Sequence, residues 1–156
     1  MSYSVKDYME KDVPTIVDAV TVTEAAKAIS EKGKGFLVVL RGGMPSGIVT
    51  EEDFVKKVMA RELDPKTLSV GQIMSSPLIT VGPEKDLLKT SQLMKEHNVR
   101  RLPVVMEGII YGVITAMDIA THCGTYVDKS VRISYGGPPH SAYNSSTRQG
   151  TRALRL

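Results

Sequence analysis

Tryptophan is absent from this sequence, phenylalanine occurs twice and cysteine once. The single cysteine, Cys123, excludes an internal disulfide framework and suits a reducing compartment. No apolar run approaches the ~18 residues of a membrane span, and Met1 to Asp12 is polar and charged where a signal peptide would be apolar. The expectation is a soluble, cytoplasmic protein with no membrane partner. The formal net charge of +3 invites a nucleic-acid reading, but the charge is unevenly placed. Residues 125–156 carry Lys129, Arg132, Arg148, Arg152 and Arg155 against Asp128, a net of +4 that leaves residues 1–124 near −1. A nearly neutral body with little aromatic stacking surface offers no footprint for a phosphate backbone. Nucleic-acid binding is therefore expected only through the tail, with a strong salt dependence.

What is present is a composition that supports a globular unit with a core, 42% hydrophobic and 24% charged over 156 residues. The chain is organised around Gly112-Val113-Ile114-Thr115-Ala116-Met117-Asp118, which is echoed 65 positions earlier by Gly47-Ile48-Val49-Thr50-Glu51-Glu52-Asp53. In each copy a β-branched run reads as a strand, a threonine ends it, and an aspartate follows three residues later in a helical pattern. A strand running straight into a helix places unpaired backbone N–H groups, a partial positive charge and a hydroxyl at one point, which suits an anion. The aspartate adds acceptors for sugar hydroxyls. The simpler reading of Thr-x-x-Asp is a capping box, and the two readings are compatible.

Other parts recur at the same offset. Val5-Lys6-Asp7-Tyr8-Met9 is matched by Val70-Gly71-Gln72-Ile73-Met74, and the extended Thr15-Ile16-Val17 by Thr80-Val81. Val22, Ala25, Ala26 and Ile29 fall on one helical face, with Thr21 or Thr23 as the cap; Leu87, Ser91, Met94 and neighbouring Leu93 form the partner stripe. Phe36-Leu37-Val38-Val39-Leu40 and Leu102-Pro103-Val104-Val105-Met106 read as buried strands, followed by hairpins through Arg41 to Pro45 and through Glu107-Gly108. Gly42-Gly43 lacks the Gly-Lys-Ser/Thr ending of a P-loop and reads as a turn. The unit is strand, helix, strand, strand, helix. One such unit of roughly 55 residues is marginal by itself, so two should pack about a pseudo-twofold axis and leave two related clefts. Arg61 to Thr67, interrupted by Pro65, is the connector. This divides the chain into repeats at 1–66 and 67–124 and a C-terminal extension at 125–156, in an α/β (α+β) fold.

Residues 4–122 resemble a tandem pair of cystathionine-beta-synthase (CBS) domains, a Bateman module. The residues that carry the likeness are the two Val-x-x-x-Met openings, Asn98-Val99-Arg100-Arg101-Leu102-Pro103-Val104-Val105 after a helix, and both Gly-x-x-Thr-x-x-Asp elements. The resemblance implies a regulatory module that binds an adenosine ligand, AMP, ADP, ATP or S-adenosylmethionine. It assigns Asp118 and Asp53 to ribose, Thr115 and Thr50 to phosphate, and Thr15, Ile16, Val17, Thr80 and Val81 to adenine. Arg100 and Arg101 hold the position where such modules place basic residues beside phosphates; a solvated or dimer-facing pair is the alternative.

The copies differ. The first is read as one residue shorter before its buried strand, and has Lys34 between Gly33 and Gly35 in place of the arginine pair. It also puts Glu51 and Glu52 beside the site, where they would repel phosphate, so the cleft of Thr115 and Asp118 is ranked first. Catalysis and metal binding find little support: His97, His122 and His140 are not at ligand spacing, and Cys123 has no evident nucleophile partner. Gly136-Gly137-Pro138-Pro139 and Ser145-Ser146-Thr147 set the tail apart as partner-ordered or extraneous to the fold. The functional expectation is a homodimeric ligand sensor acting on a separate effector protein. A ligand-free interaction scaffold is the alternative, and nucleic-acid binding through the tail is a third reading.

Overall fold

The structure is a computed structural model that describes residues 3–123; the tail reading lies outside them. Local chemistry fixes the longer helices. α1 (Val22–Lys32) starts at Thr21, not Thr23: the Thr21 hydroxyl accepts from the Glu24 N–H at 3.3 Å while Glu24 Oε2 accepts from the Thr21 N–H at 3.1 Å. It stops where Gly33 turns left-handed at φ 66° and its N–H reaches the Ile29 carbonyl. α4 (Leu87–Glu96) is capped by Asp86, and Asn98 repeats the left-handed exit at φ 52°. Val22, Ala25 and Ile29 are buried on the first helix, Leu87, Thr90, Ser91 and Met94 on the second. Ser91 is tolerated there because its hydroxyl donates to the Leu88 carbonyl at 2.7 Å.

Three strands form the first sheet in the order β1 (Thr15–Val17), β2 (Phe36–Arg41), β3 (Met44–Thr50), with β1 parallel and β3 antiparallel to β2. The second sheet pairs β4 (Arg101–Met106) with β5 (Ile109–Thr115). Its expected extended segment is reduced to one parallel bridge, Val81 to Val104. Phe36 pairs with Thr50, and Arg101 with Thr115. The two halves therefore superpose at a constant offset of 65, which corrects the reading that the first copy is one residue shorter: Phe36 corresponds to Arg101, not Leu102. The bulges at Val39/Leu40 and Val104/Val105 keep the same phase.

β3 runs into α2 (Glu51–Phe54), which continues as a π-helical segment, Val55–Met59; β5 runs into α5 (Ala116–Cys123). The opening turns are exchanged between the halves. Val5 lies in the core built by Leu87, Met94, Leu102 and Ile119. Val70 and Ile73, on α3 (Val70–Ile73), complete the core of Val22, Ile29, Leu37 and Val49. Backbone bonds fix each exchange, Val5 N–H to the Lys85 carbonyl at 2.9 Å and Val70 N–H to the Val20 carbonyl at 2.8 Å. A third cluster, Phe36, Val38 and Val113 with Val13, Ile48 and Leu78, joins the halves. Val13 and Leu78 are counterparts, as are Ile48 and Val113, so this seam follows the pseudo-twofold axis. Arg101 lies over its own counterpart, the Phe36 ring, at 4.7 Å. Among the described residues no helix is long and apolar enough to cross a membrane.

Candidate functional site

The end of β3 carries the first Thr-x-x-Asp element into a cleft of about 430 Å³ whose opposite wall comes from the other half. Thr50, Glu51, Glu52 and Asp53 stand on one side, Asn98, Val99, Arg100 and Arg101 on the other, with Gly35, Ile48 and Ser75 between them. The wall from the second half is placed there by the left-handed turn at Asn98, which ends α4 and sends the chain into β4. Ser75 arrives by the exchanged opening turn, which lies antiparallel against β3 through an Ile48 N–H bond to the Ser75 carbonyl at 3.1 Å and its reciprocal at 2.9 Å.

Asp53 is engaged in three ways. Its Oδ2 accepts from the Thr50 N–H at 2.8 Å and the Thr50 hydroxyl at 3.3 Å, and Oδ1 meets Lys57 Nζ at 2.8 Å. Its side chain is 12% exposed, so it reaches the cleft without being free in water. Glu52 is bonded by Lys56, which holds its carboxyl below the usual range; the positive field of Arg100 adds to this. The Glu51 carboxylate rests against Gly35, and Arg101 Nη1 approaches the same point.

The second element is also closed on itself. Asp118 Oδ2 accepts from the Thr115 N–H at 2.9 Å and the Thr115 hydroxyl at 2.7 Å, and the Asp118 N–H donates back to that hydroxyl at 3.1 Å. Where the open cleft has Val99 and Ser75, this half has Lys34 and Glu10, and they are joined: Lys34 Nζ donates to Glu10 Oε1 at 2.5 Å and to the Asp12 carbonyl at 2.5 Å. The hydrogen bond to Glu10 raises the Lys34 pKa against the opposing effect of burial.

Of the residues expected from sequence, Thr50, Asp53, Arg100 and Arg101 come together in one cleft. Thr115 and Asp118 do not line it, and neither do Thr15, Ile16, Val17, Thr80 or Val81. The arginines, reckoned with the second copy, face the Thr-x-x-Asp element of the first. Gly35, Ile48, Ser75, Asn98 and Val99 were missed; the constant offset of 65 would have aligned Ser75 with Glu10 and Val99 with Lys34, but not revealed which element they face. Among the described residues no group of three or more His, Cys, Asp or Glu converges as a metal site.

A two-fold repeat with exchanged opening turns and a cleft between its halves defines a tandem two-domain module, and the CBS domain family matches residues 5–60 and 70–124. The chain belongs to the CBS-domain family. It is 33% identical over 119 residues to the CBS domain-containing protein YhcV of Bacillus subtilis, covering 76% of this chain and 84% of that protein. The hexameric CBS-CP12 protein from bloom-forming cyanobacteria is 36% identical at a TM-score of 0.73, covering 78% of this chain and 68% of the other. Hypoxic Response Protein I, solved with two coordinated zinc ions, is 31% identical at a TM-score of 0.68, covering 76% of this chain and 98% of the other; the protein of that name is from Mycobacterium tuberculosis.

Proposed function

We propose that this chain is a regulatory module that binds an adenosine ligand in the cleft of Thr50, Asp53, Arg100 and Arg101 and passes its state to a separate effector protein. The observation that carries the reading is the meeting, across one 430 Å³ cleft, of a carboxylate and hydroxyl from one half with two guanidinium groups from the other. Asp53 takes the ribose hydroxyls, since a carboxylate accepts about four hydrogen bonds and can share those it already holds. Arg100 and Arg101 take phosphate, with Thr50 beside them, and the apolar faces of Ile48 and Val99 flank the base. Micromolar affinity needs about 8 kcal/mol, which base burial and charge-assisted bonds together can supply.

Calorimetry of the dialysed protein against AMP, ADP, ATP and S-adenosylmethionine tests this. The expected result is saturable heat at about one ligand per chain with at least one of them, lost in Asp53→Ala and kept in Asp118→Ala. Heat that survives Asp53→Ala and vanishes in Asp118→Ala returns the ligand to the Thr115 cleft, which the sequence ranked first. A second reading is favoured by the Thr50–Asp53 and Thr115–Asp118 pairs, whose groups bond each other as helix caps. On that reading the chain is an interaction scaffold, and each substitution costs about 0.5–2 kcal/mol of stability while no ligand produces heat.

A homodimer belongs to the same proposal. An apolar groove of about 450 Å³ between α1 and the π-helical segment is lined by Val22, Ala26, Phe54, Val58, Met59 and Leu63. An apolar surface shared by two adjacent helical segments suits a second copy related by a twofold axis.

A further inference from the structure

The charges around the open cleft are not evenly balanced, and the imbalance limits how many phosphates it can hold. Among the described residues three acids line it, Glu51, Glu52 and Asp53, against two cations, Arg100 and Arg101. Glu52 and Asp53 are each matched by a lysine outside the lining, Lys56 and Lys57. Glu51 is different: among the described residues it makes no ion pair. Its carboxylate sits against Gly35, with Oε2 3.5 Å from where a Cβ on that glycine would lie, and Arg101 Nη1 3.9 Å from the same point. Its counterpart in the other half is Ala116, buried and uncharged. A phosphate reaching Arg101 therefore passes close to a full negative charge.

A phosphate monoester carries roughly −1.5 to −2 charges near neutral pH, which two guanidinium groups accommodate alongside the bonds they already make, having about five donors each. Each further phosphate adds about one more negative charge, and among the described residues the cleft lining has no further cation to meet it. Instead it meets Glu51 in a partly enclosed space, where repulsion is screened less than in bulk water.

We propose that the cleft selects adenosine ligands bearing a single phosphate, and that Glu51 is the residue that disfavours di- and triphosphates. This rests on the adenosine-ligand reading above. The test is calorimetric titration of the full chain with adenosine, AMP and ATP in magnesium-free buffer of constant ionic strength, repeated on Glu51→Gln and Glu52→Gln. AMP is expected to bind at least about tenfold more tightly than either adenosine or ATP, a gap of about 1.4 kcal/mol. Glu51→Gln narrows the AMP-to-ATP ratio, chiefly by improving ATP; Glu52→Gln, whose charge Lys56 already offsets, narrows it less. ATP binding as tightly as AMP, or a ratio unchanged in Glu51→Gln, overturns the proposal. Adenosine binding as well as AMP also overturns it while leaving the adenosine-ligand reading intact, whereas no heat with any of the three overturns it and leaves that reading to ADP and S-adenosylmethionine, which the titration series above tests.

Discussion

Lys34 makes the two halves chemically unlike. It stands where the other half has Val99, and its ammonium group ties the exit of α1 to the segment carrying Glu10 and Asp12, with Asp12 Oδ2 a further 3.4 Å contact. Only 20% of its side chain is exposed, while Glu10 and Asp12 remain 53% and 89% exposed. The ion pair is therefore a half-solvated one, worth about 1 kcal/mol or less. Bonding to Glu10 raises the Lys34 pKa above 10.5, with the attraction of Glu10 and Asp12 adding and burial opposing. A lysine that holds its proton more tightly when folded contributes stability that is fully present below 10.5 and is lost as pH rises through the elevated value. Lys34→Met should lower the melting temperature at neutral pH, by an amount that shrinks as the buffer is taken above pH 10.5. Thermal melts at both pH values check this; an equal loss at both would assign the effect to the packing of the lysine stem.

At the scale of elements, the first letter of each Gly-x-x-Thr-x-x-Asp motif records a crossing of chain segments. The exchanged opening turn of one half passes over the strand of the other at the glycine. A Cβ at Gly112 would lie 2.5 Å from the Glu10 carbonyl oxygen, and one at Gly47 would lie 2.5 Å from Met74 Sδ and 2.9 Å from the Ser75 carbonyl oxygen. Methionine can repack, but a carbonyl held in a reciprocal pair, Glu10 N–H to Val113 at 2.9 Å and Val113 N–H to Glu10 at 2.8 Å, cannot retreat without breaking it. Both Gly→Ala changes should destabilise by about 1–3 kcal/mol, with Gly112→Ala the worse; chemical denaturation of the two variants gives the order directly. Periodicity was enough to read α1, α4 and the buried strands, since one apolar stripe or a short β-branched run has few other outcomes. The strand-to-helix Thr–Asp pairs were equally legible because their hydrogen bonds are local. The facing of Arg100 and Arg101 was not legible, because it depends on how the two halves pack, with Arg101 over the Phe36 ring of the other half; nor was the exchange of opening turns, since Val5 and Val70 would fit either core on hydrophobicity alone.

At the scale of the whole fold, the described residues form two halves closed on a seam of counterparts, Val13 with Leu78 and Ile48 with Val113. The outer helical face of the first half is left apolar: Met59 is 72% exposed, Val55 56% and Leu63 45%, beside the groove formed by Val22, Ala26 and Phe54. Contiguous apolar surface of this kind marks an association site more often than scattered single residues do. In a twofold assembly the same face meets itself, so a single substitution acts twice, once from each copy. Met59→Glu would place two carboxylates at the joint, and burying an unpaired charge is far more costly than losing a methionine's apolar contact. Since Met59 is largely exposed in the single chain, the change should leave the fold of that chain intact. Light scattering coupled to size exclusion is expected to give a dimer mass for the natural sequence and a monomer mass for Met59→Glu, with unchanged circular dichroism. A variant that keeps the dimer mass would exclude this helical face as the joint and shift attention to the exposed hairpin residues Met44, Met106 and Ile109.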